Sequence, residues 1–119
     1  LEGLDEISVC GPTQIWEVVN NKIEEYIVTP EDFGVNKHSI QDLLGGEIND
    51  NVSIFQQIVR GEGKALDFVL INAAAVLYVG KKVKSIIEGV SMARELIKAG
   101  TVVAKLEEII ETTQNLKSK

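Results

Sequence analysis

The chain has 119 residues, of which 45% are hydrophobic and 25% are charged, and its formal net charge is −6. These proportions are those of a folded globular domain, and they exclude a chain that is mainly disordered. The single cysteine, Cys10, excludes a disulfide framework and a zinc site built from several cysteines. The acidic balance argues against a partner such as duplex nucleic acid, which is bound through basic surfaces.

Neither a secretion signal nor a membrane span is visible in the sequence. Residues 1–10 lack the basic start and the apolar run of a signal peptide. The most apolar stretch, residues 68–79, is about half the ~20 residues that a transmembrane helix needs. Together with the unpaired cysteine, these features predict a cytoplasmic protein that has no membrane partner.

The first third of the chain predicts an antiparallel β-hairpin. Residues 13–19 alternate between apolar and polar side chains, and residues 22–29 form a second run rich in β-branched and aromatic residues. Between them, Asn20 and Asn21 tolerate the positive φ angles of a two-residue turn. Because an isolated hairpin is marginal in water, we expect this one to pack against other parts of the chain.

The rest of the chain predicts helices. Thr29 followed by Pro30 is typical of a helix start, and Ser39 with Asp42 predicts a second short turn. Gly61, Gly80 and Gly100 separate longer periodic segments, the second of which is apolar nearly all round and predicts a buried helix. We therefore expect four helices, over residues 49–60, 64–79, 86–99 and 101–114, followed by a frayed polar tail over residues 115–119.

Three polar residues outside the acidic clusters are candidates for chemistry. Cys10 and His38 are the only thiol and the only imidazole, but no spacing brings them together, so a structural thiol and a loop histidine are the favoured interpretations. Asn72 lies in the most apolar helix, where an unpaired amide costs about 1–3 kcal/mol. We therefore expect Asn72 to tie its helix to a neighbouring stretch of backbone.

The adjacent acids Asp5 and Glu6 are the candidate metal ligands. Neighbouring side chains on a regular strand point to opposite faces, so both carboxylates can reach one ion only if the backbone leaves strand geometry here. Gly3 makes such a turn easier. Mg²⁺ is commonly held by one or two carboxylates together with substrate phosphates and waters. Spacing alone does not separate this pair from the adjacent acids at 24–25, 31–32 and 107–108.

A series of motifs runs through the chain in order: GLDEIS at residues 3–8, GPT at 11–13, TPEDFG at 29–34, DLLGG at 42–46, LINAAAVLY at 70–78, and the segment 85–106. This series resembles the C-terminal third of the anthranilate phosphoribosyltransferases. The resemblance implies an α/β fold in which residues 1–119, themselves of α+β type, complete a larger mixed sheet flanked by helices. Residues 1–29 would hold the metal motif and the hairpin, and residues 30–119 would be mainly helical.

The resemblance also implies a function. The family transfers phosphoribose from phosphoribosyl pyrophosphate to anthranilate, with release of pyrophosphate, in tryptophan biosynthesis. It uses Mg²⁺, and the motif carried over to this chain assigns Asp5 and Glu6 as ligands of that ion. No catalytic residue is carried over. The full-length enzyme is expected to be a homodimer whose contacts lie mainly outside this segment.

Some of the family's binding elements have no counterpart in this chain. These are its glycine-rich diphosphate loop (GTGGD) and its N-x-S-T and K-H-G-N segments. We therefore expect the 119 residues alone to be inactive. The alternative interpretation is a non-catalytic interaction or regulatory module, which a glycine-rich phosphate loop upstream of this segment would argue against.

Overall fold

A computed structural model describes residues 3–117 as a hairpin followed by helices. Its elements are two strands, β1 (Thr13–Val19) and β2 (Lys22–Val28), two short 3₁₀ turns (Pro30–Phe33 and Ile40–Asp42), and four helices, α1 (Ile48–Val59), α2 (Leu66–Val79), α3 (Ile86–Lys98) and α4 (Thr101–Lys117). The predicted hairpin and four helices are therefore confirmed. No helix within residues 3–117 has the length and apolar character needed to cross a membrane.

The hairpin forms as its sequence predicts. Strands β1 and β2 pair antiparallel, and Asn20 and Asn21 close the turn with φ angles of 51° and 60°. The second strand ends at Val28, one residue earlier than expected. At Thr29 both the backbone N–H and the side-chain hydroxyl donate to the Asp32 carboxylate, at 2.7 and 2.9 Å. Thr29 therefore begins the next turn instead of extending the strand.

The two faces of the hairpin have different surroundings. Ile15 and Val28 face the hydrophobic core. The opposite face carries four apolar side chains that are 61–73% exposed: Trp16, Val18, Ile23 and Ile27. The register places these four together, because Val18 pairs with Ile23 and Gln14 with Ile27. Nothing within residues 3–117 covers this face, which we call the outer hairpin face.

Helix α2 lies at the centre of the core, although it is buried on one side only. Leu70, Ile71 and Ala74 are completely inaccessible to solvent. Val76 and Val79, on the same helix, are 71% and 79% exposed. The expectation of a helix buried all round is therefore wrong for this chain, because the segments that pack on α2 cover only part of its circumference. A sequence that is apolar nearly all round indicates how much of its surface a helix can bury. The other segments within residues 3–117 cover only part of that surface of α2.

Helices α2 and α3 meet at a point of very close approach. Gly89 of α3 is buried against Ala74 of α2, and a Cβ atom at position 89 would lie 2.8 Å from the Ala74 carbonyl oxygen. Contacts of this length to a backbone atom cannot be relieved by rotating a side chain. The absence of a side chain at Gly89 thus sets the distance between the two helices.

A buried carboxylate ties the loop before α1 to both of these helices. Asp67 of α2 accepts hydrogen bonds from the Arg94 guanidinium (2.8 Å), the His38 Nε2–H (3.0 Å) and, more weakly, the Asn36 backbone N–H (3.4 Å). Because an ionised carboxylate can only accept, Nε2 of His38 carries the proton. Burial by itself would raise the pKa of Asp67, but the hydrogen bonds from His38 and Arg94 outweigh it and lower that pKa.

The C-terminal helix is longer than its sequence predicts. Residues 115–117 continue α4 instead of forming a polar tail, and residues 118 and 119 lie outside the described residues. No Gly or Pro follows Gly100 to end the helix, and Leu116 and Lys117 are good helix formers. Exposure of Asn115 and Leu116 to water is thus compatible with helical structure.

Replacing Gly89 with alanine should destabilise the chain by about 1–3 kcal/mol. The new methyl group would collide with the Ala74 backbone, and this outweighs the roughly 1 kcal/mol by which alanine favours a helix over glycine. Urea unfolding followed by circular dichroism measures the effect. Ser91→Ala, at an exposed position of the same helix, is the control and should leave stability nearly unchanged. A Gly89→Ala variant as stable as the parent chain would contradict the close approach of the two helices.

Replacing Asp67 with asparagine should destabilise the chain by about 1–3 kcal/mol at neutral pH, because the neutral amide loses the ion pair with Arg94 and offers one acceptor oxygen where the carboxylate offers two. The pKa of Asp67 is lower in the folded chain than its ordinary value of 3.8, so its stabilising effect is present above that pH and disappears as the pH falls through the lowered pKa. The difference in unfolding free energy between the parent and Asp67→Asn should thus shrink below about pH 4. Glu107→Gln, on exposed α4, is the control. If the difference in unfolding free energy between the parent and Asp67→Asn stays constant from pH 7 to pH 3, the lowered pKa of Asp67 is contradicted.

Candidate functional site

The two predicted metal ligands lie in a bend near the amino end of the described chain. Gly3 has a φ of 79°, and residues 3–8 form no strand. Asp5 and Glu6 are both exposed. The backbone has therefore left strand geometry at the acidic pair, which is the condition that shared binding of one ion requires.

A large open groove runs beside this bend. It has a volume of about 1080 Å³, and its walls come from residues 4–8, from strand β1, from the last turn of α2 and from residues 81–86. Its charged and aromatic lining comprises Asp5, Glu6, Trp16, Glu17, Tyr26, Tyr78, Lys81 and Lys84. The acidic pair thus faces a space that is large enough for a phosphorylated ligand.

A hydrogen-bonded cluster holds two walls of the groove together. The Glu17 carboxylate accepts hydrogen bonds from the hydroxyls of Tyr26 on β2 (2.8 Å) and Tyr78 on α2 (2.5 Å). Burial, with the hydrogen bond to Glu17, raises the pKa of Tyr26 to about 12, and the hydrogen bond to Glu17 also raises the pKa of Tyr78. Both phenols therefore remain protonated donors at neutral pH, and they fix β1 relative to α2.

The segment that follows the acidic pair is anchored to the core. The Asn72 side chain forms hydrogen bonds with both the N–H and the C=O of Ile7, so the prediction that this amide ties α2 to neighbouring backbone is confirmed. One residue further on, the Ser8 N–H donates to the Thr13 hydroxyl at 3.0 Å. The acidic pair thus precedes a rigid stretch of backbone while its own side chains stay in contact with solvent.

The other candidates from the sequence have structural roles. Cys10 is buried, and its backbone N–H donates to the Ser8 hydroxyl at 2.9 Å. The imidazole of His38 forms a hydrogen bond with the Asp67 carboxylate, which matches the favoured interpretation of a loop histidine. Trp16, on the outer hairpin face, is 61% exposed.

The remaining adjacent acids do not line the groove. Asp32 accepts hydrogen bonds within its own turn, and Glu108 pairs with Lys105 one helical turn away. Glu24 and Glu25 follow one another along strand β2, so their side chains point to opposite faces of the hairpin. Among these adjacent acids, Asp5 and Glu6 are therefore the pair that lines the groove.

Sequence reasoning did not identify the Glu17 cluster. Glu17 and Tyr78 are 61 positions apart, and no local pattern reports such a contact. The single available signal is the alternation of strand β1, which puts Glu17 on the same face as Ile15 and therefore toward the core. A carboxylate on an inward-facing strand position requires hydrogen-bond donors, and the two tyrosines supply them.

The donor set at the bend suits a magnesium ion better than a transition metal. Within residues 3–117 no group of three or more His, Cys, Asp or Glu side chains could hold a metal by itself. Two exposed carboxylates beside an open groove leave the other coordination positions to water and to a ligand. Mg²⁺, which keeps several waters and is often shared with substrate phosphates, fits that arrangement.

Comparisons with known proteins identify the family. The model described as "Glycosyl transferase family, a/b domain" matches residues 1–103. The anthranilate phosphoribosyltransferase of Acetivibrio thermocellus is 41% identical over 116 residues, which are 97% of this chain and 34% of that enzyme. The chain therefore spans about a third of the length of the curated relatives it matches.

Solved structures agree in fold. Anthranilate phosphoribosyltransferase from Thermus thermophilus is 33% identical and has a TM-score of 0.79, with coverage of 90% of this chain and 32% of that one. A variant of the Saccharomyces cerevisiae enzyme with Mg bound is 24% identical, with a TM-score of 0.81 over 95% of this chain and 33% of its own. These likenesses confirm the expected α/β fold class. Through the match over residues 1–103, the chain belongs to the family described as "Glycosyl transferase family, a/b domain".

Proposed function

We propose that this chain is the C-terminal third of a Mg²⁺-dependent anthranilate phosphoribosyltransferase. In that reaction the amino group of anthranilate bonds to the anomeric carbon of phosphoribosyl pyrophosphate, while the bond from that carbon to the pyrophosphate oxygen breaks. The match to enzymes of this name over 97% of the chain supports the reaction class. The proposal rests above all on the placement of Asp5 and Glu6, consecutive and exposed at the edge of an open groove.

Within this proposal, Asp5 and Glu6 hold the magnesium ion through their carboxylates. A bound Mg²⁺ supplies positive charge that offsets the negative charge developing on the departing diphosphate, an effect worth several kcal/mol. The two acids themselves take no proton from the substrate. Their task is to keep two carboxyl groups at the edge of the groove in the absence of substrate.

The remaining substrate contacts are assigned to parts of the enzyme outside this chain. The outer hairpin face leaves Trp16, Val18, Ile23 and Ile27 exposed, and α2 leaves Val76 and Val79 exposed. Contiguous exposed apolar side chains of this kind are typical of surfaces that pack against further protein. This supports a larger domain in which the groove is completed by residues that bind phosphoribose and anthranilate.

Asp5→Asn and Glu6→Gln should each raise the Mg²⁺ concentration needed for half-maximal activity of a complete enzyme that includes this chain. We expect an increase of about tenfold or more, because each variant removes one anionic ligand while keeping its shape. The measurement is the rate of anthranilate consumption, followed by its fluorescence, as a function of Mg²⁺ at saturating phosphoribosyl pyrophosphate.

Glu107→Gln is the matched control for this experiment. It removes one negative charge from exposed α4 and so reproduces the change in net charge without touching the groove. Its Mg²⁺ dependence should equal that of the parent enzyme. If the Asp5 and Glu6 variants also retain the parent's Mg²⁺ dependence, the metal assignment is wrong.

The 119 residues on their own should show no transferase activity. The family's glycine-rich diphosphate loop and its N-x-S-T and K-H-G-N segments have no counterpart in this sequence. Incubation of the purified chain with Mg²⁺, anthranilate and phosphoribosyl pyrophosphate should leave the anthranilate fluorescence unchanged. Sustained turnover that scales with the concentration of the chain would show that the groove is sufficient for the reaction.

A further inference from the structure

The side-chain amide of Asn72 forms a two-point contact with the backbone of Ile7, directly after the acidic pair. The Ile7 N–H donates to Asn72 Oδ1 at 2.9 Å, and Asn72 Nδ2 donates to the Ile7 carbonyl at 3.0 Å. The same Nδ2 also donates to the carbonyl of Phe68, one turn earlier in α2, at 3.0 Å. Both N–H groups of the amide are therefore used, and its plane has a single orientation.

The helix that carries Asn72 is a rigid support. Leu70, Ile71 and Ala74, the closest buried neighbours along α2, are completely inaccessible to solvent. Asn72 and Ile7 are 65 positions apart, so the contact is purely tertiary. Because Asn72 is part of this buried helix, its side chain holds the Ile7 backbone at a fixed position relative to the core.

The contact acts on the peptide group that joins Glu6 to Ile7. The N–H held by Asn72 belongs to the same planar unit as the Glu6 carbonyl, so fixing this N–H restricts the backbone on the carboxyl side of Glu6. Downstream, the Ser8 N–H bond to Thr13 and the Val9 carbonyl bond to the His38 N–H (2.8 Å) hold the following residues. Asp5 and Glu6 are thus exposed and lie directly before residues 7–9, whose backbone is held by hydrogen bonds.

We propose that Asn72 is a positioning residue for the Asp5–Glu6 pair. Its amide holds the Ile7 backbone against helix α2, so that the two carboxylates are oriented toward the groove before a divalent cation binds. This proposal rests on the assignment of Asp5 and Glu6 as metal ligands. Preorientation removes part of the ordering cost of cation binding, and groups that orient metal ligands typically change metal affinity by about 10–100-fold when they are lost.

The chain offers a matched control for this proposal. Asn51 makes the same two-point contact with the backbone of Gly46: the Gly46 N–H donates to Asn51 Oδ1, and Asn51 Nδ2 donates to the Gly46 carbonyl, both at 3.0 Å. This contact is exposed and lies at the start of α1, and neither residue lines the groove. Asn51→Ala therefore removes an equivalent pair of hydrogen bonds without acting on the acidic pair.

The test compares Asn72→Ala with Asn51→Ala in a complete enzyme that includes this chain. Without metal, the Ile7 amide of Asn72→Ala should exchange its hydrogen faster than in the parent, while Asn51→Ala should leave it unchanged. Binding of Mn²⁺, measured by electron paramagnetic resonance, should weaken about tenfold in Asn72→Ala only. Excess Mg²⁺ should restore its rate close to that of the parent, as expected when the ligands are present but poorly oriented.

Including Asp5→Asn and Glu6→Gln in the Mn²⁺ titration separates the two proposals. If those variants weaken Mn²⁺ binding while Asn72→Ala binds like the parent, the acids are ligands and the positioning role is refuted. If the acid variants bind Mn²⁺ like the parent, the metal assignment itself fails.

A second measurement on the unaltered enzyme decides the matter if Asn72→Ala does not fold. In the metal-free enzyme the Ile7 N–H, which is bonded to Asn72, should already be protected from hydrogen exchange, and Mg²⁺ should change that protection little. An Ile7 N–H that exchanges freely without metal and becomes protected only when Mg²⁺ is added would overturn the proposal.

Discussion

The burial of one side of helix α2 is the constraint on which the rest of the structure depends. Four neighbouring segments are attached to this helix, each by a different contact. Helix α3 packs where Gly89 meets Ala74, the loop around His38 is held by Asp67, the acidic segment by Asn72, and the hairpin by Tyr78. A shift of α2 would therefore move the acidic pair and the walls of the groove together.

Two polar residues of α2, Asp67 in its first turn and Asn72 near its middle, explain how so apolar a helix selects particular partners. Apolar packing is non-directional and tolerates small displacements. A buried carboxylate or amide constrains its partners more closely, because each hydrogen bond that a displacement breaks costs about 1–3 kcal/mol. Asp67 and Asn72 therefore bring distant loops to defined places on the helix. The hydrogen bonds that satisfy Asn72 also hold the backbone beside Asp5 and Glu6.

The exposed apolar surface fits the proposed function, in which this chain is one part of a larger enzyme. The outer hairpin face and the exposed side of α2 carry residues whose burial would stabilise the fold by about 1.5–3 kcal/mol each. The chain spans about a third of the relatives it matches, so a larger domain would supply the protein that covers these residues. The acidic pair would then lie at the boundary between this segment and the rest of a complete site.

Much of the local structure could be predicted because its causes lie close together in sequence. The Asn20–Asn21 turn, the Pro30 start of the first 3₁₀ turn and the Ser85 cap of α3 each depend on residues a few positions apart. Prediction was wrong at the end of α4 and in the burial of α2. In both cases the sequence shows the character of the side chains but does not show which other segments surround the helix. Residues 115–117 continue helix α4, and apolar residues on α2 stay exposed where nothing within residues 3–117 covers them.

The sequence by itself determined the order of the elements, the two acids that are the candidate ligands and, through its motifs, the family. Only the tertiary structure decided which residues surround those acids. Glu17 with its two tyrosines, the Asp67 network and the contact of Asn72 with Ile7 all join positions that are distant along the chain. The physical reason is that hydrogen-bond partners are chosen by proximity after the core has packed, and no local pattern of residues encodes that proximity.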